Sequence, residues 1–443
     1  MDENLLHDVV AAALKAGADG AEAVGAERQS LSITVRAGAL EEVEREEARD
    51  LGLRVFVGKK QATVSGSDLS ADSRARLIER AVAMARLAPD EPYAGLADTD
   101  RLAHGPYPDL ELFDPTEPAA TAMEDQAREA EAAARAVEGV SNSDGGSSSW
   151  SASRWRLVTS TGFVGLHEAT GFSLYATALA QDANGMEIGG EGRSQRWQAE
   201  LPTPSAIGTE AGHRAVQRLG ARKIASTTAA VIFENRLATS LIGPLIGAIA
   251  GSAIARGTSF LKDKLGERLF SESIDLIEDP HLPRRLGSAP YDDEGVANQR
   301  RALIDHGVLT TWLLSSSSAR QLGLTTTGHA SRGLAGPPGV ATTNLTLSPG
   351  DRDLAGLMVD AKDGLLVTSM FGPSLNGNTG DWSVGVSGHW FENGQIAYPV
   401  NEITVAGNLI DIYGRLVVGS DLEIRGSANS PSILIDGMAI AGK

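Results

Sequence analysis

Residues 240–260 read Ser-Leu-Ile-Gly-Pro-Leu-Ile-Gly-Ala-Ile-Ala-Gly-Ser-Ala-Ile-Ala-Arg-Gly-Thr-Ser-Phe. They hold most of the longest weakly polar run of the chain, 237–255. How that run is read decides between a membrane protein and a globular one. A membrane span needs about 20 strongly apolar residues and interfacial anchors at its ends. This run is built of Gly, Ala and Ser around Pro244 and lacks the anchors. It reads as a buried helix. Its small residues Gly243, Gly247, Ala248, Gly251 and Ala253 predict close packing against another backbone, at some loss of helix propensity. Pro244 removes an amide donor and tends to kink a helix interior.

Upstream of this helix the pattern alternates helices with strands. Leu5, Leu6, Val9, Val10, Ala13 and Leu14 recur at helical spacing over 3–17, and Gly17 serves as a stop. Residues 21–28, 31–36 and 51–57 read as strands, with a turn at Ala37-Gly38, an acidic strand or solvated edge over 40–49, and a solvated face for the acidic run 41–50. Residues 71–87 and 119–137 read as helices, with a Pro/Gly-rich connector over 89–118 between them. The Ser/Gly-rich run 141–153 reads as a mobile loop. Strands follow at 154–159, 163–168 and 172–181, then a helix from near Pro204. Beyond 223–228 the chain becomes Gly-rich and strand-heavy. This order lacks regular βαβ alternation and predicts an α+β fold. The expected division is an N-terminal domain, 1–225, with helices layered on antiparallel strands, and a mainly β C-terminal domain, 226–443, containing the helix near 237–255.

Composition narrows the function. The 443 residues suffice for two or three domains with their own cores. A formal net charge of −18 argues against nonspecific binding to nucleic acid or anionic membrane. With no cysteine the chain has no disulfide, thiol nucleophile or zinc thiolate. The N-terminus lacks a basic region followed by an apolar one, so the expected location is the cytoplasm.

Catalytic constellations are hard to find. No two of the eight histidines stand three to five residues apart, so no helix offers a His pair to one ion. His167-Glu168 starts like a zincin motif, but Gly171 and Phe172 follow where the second histidine belongs. Ser387 and His389 in Gly-Val-Ser-Gly-His share a strand face with Asp381 near in sequence. His389 stands where a nucleophile elbow needs Gly, and a strand of small residues packed near another backbone is the simpler reading. Gly372 to Gly377 has phosphate-loop spacing, but Asn378-Thr379 replace the Lys-Ser/Thr pair, which leaves a Gly/Asn turn. Asp292, Asp293 and Glu294 read as a solvated turn rather than a hard-cation site.

Several segments, in order, resemble the TldD/PmbA family. They are 16–23, 32–45, 51–62, Asp292-Asp293-Glu294-Gly295, 376–388, 400–409 and 438–442. In the TldD branch the helix at 240–260 carries His-Glu-x-x-x-His, which holds zinc and a general base. Here those positions are Gly243, Pro244 and Ala248. Together with the missing cysteine, thought to be the third zinc ligand in that branch, this places the chain nearer the PmbA (TldE) branch. The resemblance implies a non-catalytic subunit with no cofactor of its own. Its partner would be a TldD-like zinc peptidase, and its substrates unfolded proteins and peptides, including peptide-antibiotic precursors. A homodimer is an expectation for the isolated chain. Two rivals stay open: a hydrolase using Ser387/His389, and a stand-alone peptide-binding scaffold.

Overall fold

The computed structural model describes residues 1–183 and 185–443. The elements up to residue 216 are α1 (Glu3–Lys15), β1 (Gly20–Arg36), β2 (Ala39–Val57), β3 (Lys60–Gly66), α2 (Ala71–Leu87), α3 (Ala120–Ala136), β4 (Val140–Thr159), β5 (Val164–Asp182), β6 (Gly185–Gln195) and α4 (Pro204–Val216). The six strands form one antiparallel sheet in the order β3-β2-β1-β4-β5-β6.

Two pairs of helices cover this sheet. Leu6, Val9, Val10 and Ala13 of α1 and Ile78, Ala81, Val82 and Ala85 of α2 bury against Leu51, Leu53 and Val55. Alanines of α3 and α4, Ala130, Ala134, Ala211 and Ala215, bury against Leu174, Ala176 and Ala178 of β5. Small residues let the second layer lie close. A Cβ at Gly208 would stand 1.9 Å from the Ala130 carbonyl, and one at Gly146 would stand 2.2 Å from that of Ala127.

That close approach corrects the mobile-loop reading of 141–153, which form the inner part of β4. Residues of this stretch pair with β1 on one side and β5 on the other. Gly146 and Ser148 lie under α3, and the Ser148 hydroxyl donates to Gln126 Oε1 at 3.0 Å. Helix backbone fills the space large side chains would need, so no apolar alternation marks the strand. The expected strands at 21–28 and 31–36 are one strand, and β6 was not foreseen. The 41–50 stretch is largely exposed, as expected.

From residue 227 the chain builds smaller sheets. The strands are β7 (Thr227–Phe233), β8 (Leu276–Asp279), β9 (Arg301–Asp305), β10 (Val308–Leu309), β11 (Ala330–Ser331), β12 (Gly339–Val340), β13 (Asn344–Leu347), β14 (Gly364–Leu375), β15 (Asp381–Glu392), β16 (Gln395–Asn408), β17 (Val417–Val418), β18 (Ala428–Asn429) and β19 (Ile433–Ala441). The larger sheet runs β16-β15-β14-β7-β19-β17, with β14 parallel to β7. The helices here include α5 (Asn235–Ala248), α6 (Gly251–Ala255) and α7 (Ser316–Leu322). The fold is α+β, as the sequence predicts. No helix among the described residues is long and apolar enough to cross a membrane.

The two halves meet over buried charge. Arg54 Nη1 donates to Glu22 Oε1 at 3.1 Å, and Arg332 from the other half pairs with the same oxygen. Val24 and Leu157 of the first sheet, with Phe163 in the turn between β4 and β5, pack with Tyr291 and Val296 of the second half.

Gly208→Ala tests the α3–α4 approach. It is expected to destabilise by about 1–3 kcal/mol through overpacking, read as an earlier midpoint in urea unfolding. An unchanged midpoint would show that the helices yield freely.

Candidate functional site

The predicted helix at 237–255 is two helices. Leu313 interrupts it. The Leu313 N–H donates to the Ile249 carbonyl at 3.0 Å, and the Gly251 N–H donates to the Leu313 carbonyl at 2.8 Å. These bonds draw the backbone at 249–251 out of the helical pattern, so α5 ends at Ala248 and α6 begins at Gly251.

Helix α5 has two unlike faces. Ala238, Leu241, Ile242, Leu245 and Ala248 are buried in the main core of this half. The opposite stripe, Leu237, Ser240, Gly243, Pro244 and Gly247, follows the same helical spacing and lines a cavity of about 790 Å³. Facing it are Met370, Pro373, Ser374 and Leu375 of β14, with Phe260 and Trp382. The Phe260 N–H donates to the Gly377 carbonyl at 2.8 Å, tying one wall to the turn that follows β14.

This geometry corrects the expectation of uniform close packing. Cβ atoms built at Gly243 and Gly247 would meet nothing within 4 Å, whereas one at Gly251 would meet Leu314 and Ser318 at 2.6 Å. Close packing holds at α6 against α7 and fails along α5. Gly243, Pro244 and Ala248 all line the cavity.

The lining residues carry one charge, on Arg236. Its Nη2 donates to the Thr368 carbonyl at 2.6 Å, and it pairs with Glu234, just before α5. Burial pushes the Glu234 carboxyl up, an effect the Arg236 and Arg214 guanidiniums oppose. The other polar groups of the lining are hydroxyls of Thr239, Ser240, Thr258 and Ser374 and backbone. Zinc sites are built from imidazole, thiolate or carboxylate. No lining residue supplies one, so this wall does not fit the ion.

The remaining sequence candidates lie elsewhere. Ser387 is buried in β15, while His389 Nε2 donates to the Gln217 carbonyl at 3.0 Å. Asp381 accepts from Thr379 and Asn408 at the start of the same strand. Eight residues of strand at roughly 3.3 Å each separate Asp381 from His389 by about 26 Å, too far for a triad. His167 and Glu168 lie on β5, whose successive side chains face opposite sides. Burial and the nearby Arg196 hold the His167 imidazole below its usual range, and Glu168 accepts from Arg154 at 2.6 Å. Residues 376–380 form the turn between β14 and β15, with Gly380 N–H donating to the Asn376 carbonyl at 2.8 Å, whereas Gly372–Leu375, read as part of that turn, belong to β14 beyond a break in its register.

The Asp292–Glu294 turn is not solvated. Asp292 and Glu294 are buried. Asp292 accepts from the N–H groups of Glu294, Val296 and Ala330, Asp293 from that of Arg332, and Glu294 from that of Ser316. These carboxylates hold loops together by capping backbone donors.

Family profiles match three consecutive stretches: PmbA/TldA metallopeptidase domain 1 over 21–85, the central domain over 112–219 and the C-terminal domain over 226–442. Metalloprotease PmbA of Escherichia coli O157:H7 is 36% identical over 444 residues, covering 99% of this chain and 96% of the relative. The chain belongs to the PmbA/TldD metallopeptidase family. A metalloprotease PmbA homolog of Haemophilus influenzae is 35% identical, covering 97% of this chain and 94% of that one. A crystal structure from Bacteroides thetaiotaomicron, provisionally described as a modulator of DNA gyrase, has a TM-score of 0.92 at 27% identity, covering 100% of both chains. TldE from Thermococcus kodakarensis shares the fold, with a TM-score of 0.88 at 20% identity, covering 99% of this chain and 100% of that one.

Sequence reasoning missed Arg236, Phe260, Met370 and Trp382 as cavity residues. The available signal was the small-residue stripe on α5, which was read as a packing surface. It also missed the burial of the acidic turn, which gives a pH test. Burial raises the carboxyls of Asp292, Asp293 and Glu294. An acid raised on folding holds its proton more firmly in the native state, so stability falls as pH rises from about 4 towards the raised value. Asp293→Asn keeps an oxygen for the Arg332 N–H and removes one such group. As pH rises above about 4 the variant is expected to lose less stability than wild type in urea unfolding. Identical pH slopes would refute this account.

Proposed function

We propose that the chain is the non-catalytic subunit of a two-component cytoplasmic zinc metallopeptidase. Its partner is a TldD-like subunit that carries the metal, and its substrates are unfolded peptides. One observation carries the reading: the three positions that hold zinc and base in the TldD branch, by resemblance, are Gly243, Pro244 and Ala248, and together they line one mostly apolar cavity. Metallopeptidase chemistry needs a Lewis acid on the carbonyl and a group to take the proton of the attacking water. This wall supplies neither a zinc ligand nor a carboxylate base. It does supply a shaped, mostly apolar surface, which serves binding. The absence of cysteine suits a reducing compartment. The serine-hydrolase reading loses support from the distance between Asp381 and His389.

The test uses the purified full chain. After dialysis it is expected to hold no stoichiometric zinc and to leave an unstructured peptide intact. Cleavage is expected on mixing with a zinc-loaded TldD-like subunit and to stop with chelator. Gly243→His, Pro244→Glu and Ala248→His together are not expected to give activity to the chain alone, because ligand orientation needs supporting hydrogen bonds that an apolar wall lacks. One tightly held zinc per wild-type chain, or zinc-dependent cleavage by the triple variant alone, would overturn the proposal.

A further inference from the structure

We infer that Asn376 is a site of spontaneous chemical modification, where the Gly377 backbone nitrogen closes on the Asn376 side chain and converts the residue to aspartate and isoaspartate. The inference does not depend on the subunit assignment.

Asparagine is a thermolabile residue, and a glycine after it carries no side chain to shield the next backbone nitrogen. Two Asn-Gly pairs lie wholly among the described residues, Asn376-Gly377 between β14 and β15 and Asn393-Gly394 between β15 and β16. The fold treats them differently. The Gly394 N–H donates to the Lys362 carbonyl at 2.7 Å, and the Asn393 N–H donates to Asp363 Oδ1 at 2.8 Å. Gly394 is buried, with Val359 2.9 Å from where a Cβ would stand. Its nitrogen is therefore held away from attack. Asn376 and Gly377 are both exposed, and the Gly377 N–H donates to no group among the described residues. The Asn378 N–H donates to Asn376 Oδ1 at 3.1 Å. That bond holds the side-chain amide over the backbone that follows it. It also stabilises the negative charge that develops on Oδ1 when Cγ becomes tetrahedral.

The step needs only water. The Gly377 nitrogen loses its proton to solvent base, and its electron pair forms a bond to Asn376 Cγ. The tetrahedral carbon expels Nδ2, which takes a proton from water and leaves as ammonia. Water then opens the cyclic imide. Breaking the bond from nitrogen to Cγ gives aspartate. Breaking the bond from nitrogen to the main-chain carbonyl carbon gives isoaspartate, in which the chain runs through the side-chain carbons. The site borders the α5 cavity, because Gly377 lines it and the Gly377 carbonyl accepts from the Phe260 N–H at 2.8 Å. Isoaspartate lengthens the main chain at this tie and adds a carboxylate beside a mostly apolar wall.

The experiment incubates the folded full chain in warm, mildly alkaline buffer made with heavy-oxygen water. The chain is then digested in ordinary water, and its peptides are followed by chromatography and mass spectrometry. Heavy oxygen marks conversion that preceded digestion. The peptide containing Asn376 is expected to convert at least about fivefold faster than the one containing Asn393, because the Gly394 hydrogen bond must be given up before its nitrogen can attack. The Asn376 product is expected to separate into aspartate and isoaspartate forms. In urea that unfolds the chain the two rates are expected to converge. Gly377→Ala puts a methyl group beside the attacking nitrogen. The position has a negative φ, and the added Cβ would stand 3.5 Å from the Thr258 carbonyl, an ordinary contact. The variant is expected to melt like wild type, to slow conversion at Asn376 severalfold and to leave Asn393 unchanged. Equal native rates at the two sites would overturn the inference, as would an Asn376 that converts only in the unfolded chain. The wild-type comparison decides the matter even where the variant folds poorly.

Discussion

Helix α5 is fixed by its apolar face, and the rest of the site depends on that constraint. Leu241 and Leu245 are fully buried, and the Leu241 carbonyl accepts from the buried Tyr413 hydroxyl at 3.0 Å. A helix so held cannot rotate without exposing its leucines, at roughly 1.5–3 kcal/mol for each large side chain. The opposite stripe must then point where it does, whatever residues occupy it. Larger side chains at positions 243 and 244 would project side by side into the one hollow. Glycine and proline leave the hollow empty of chemistry and widen it.

The second constraint lies between the halves. Glu22 and Arg54 from the first sheet and Arg332 from the second half are buried together, and Gln61 accepts from Arg54 Nε at 2.8 Å. Desolvating such ions costs several kcal/mol each, so the cluster adds little net stability. Removing one partner is another matter, because it leaves a buried charge uncompensated at about 3–5 kcal/mol. The arrangement therefore penalises wrong dockings of the halves more than it strengthens the right one. Three backbone N–H groups capped by Asp292 act in the same sense on the loop that carries Glu294.

The sequence made the helices legible where apolar spacing was regular, as in α1 and α2. It hid what small residues do. In β4, serines and glycines looked like a loop because helix backbone occupies the space that apolar side chains would otherwise mark. In α5 the glycines looked like packing residues, and only neighbours distant in the chain distinguish Gly251, pressed on α7, from Gly243 and Gly247, which open on a cavity. The acidic turn looked solvated because its partners are backbone amides of residues up to 39 positions away. Motif comparison pointed to α5; the shape of the cavity beside it depends on Phe260, Met370 and Trp382, which carry no motif.

A proline inside α5 follows from the same geometry. Pro244 removes the amide that would bond the Ser240 carbonyl, a change costly in a tightly packed helix interior. Here residue 244 faces the hollow and stands one turn from the helix end, where Leu313 already takes over the backbone pairing. The strain has free space on one side and a short helical remnant on the other. A catalytic helix needs a carboxylate held to a narrow geometry at that position. A pocket wall needs only its shape, and a rigid ring with no donor keeps that wall apolar.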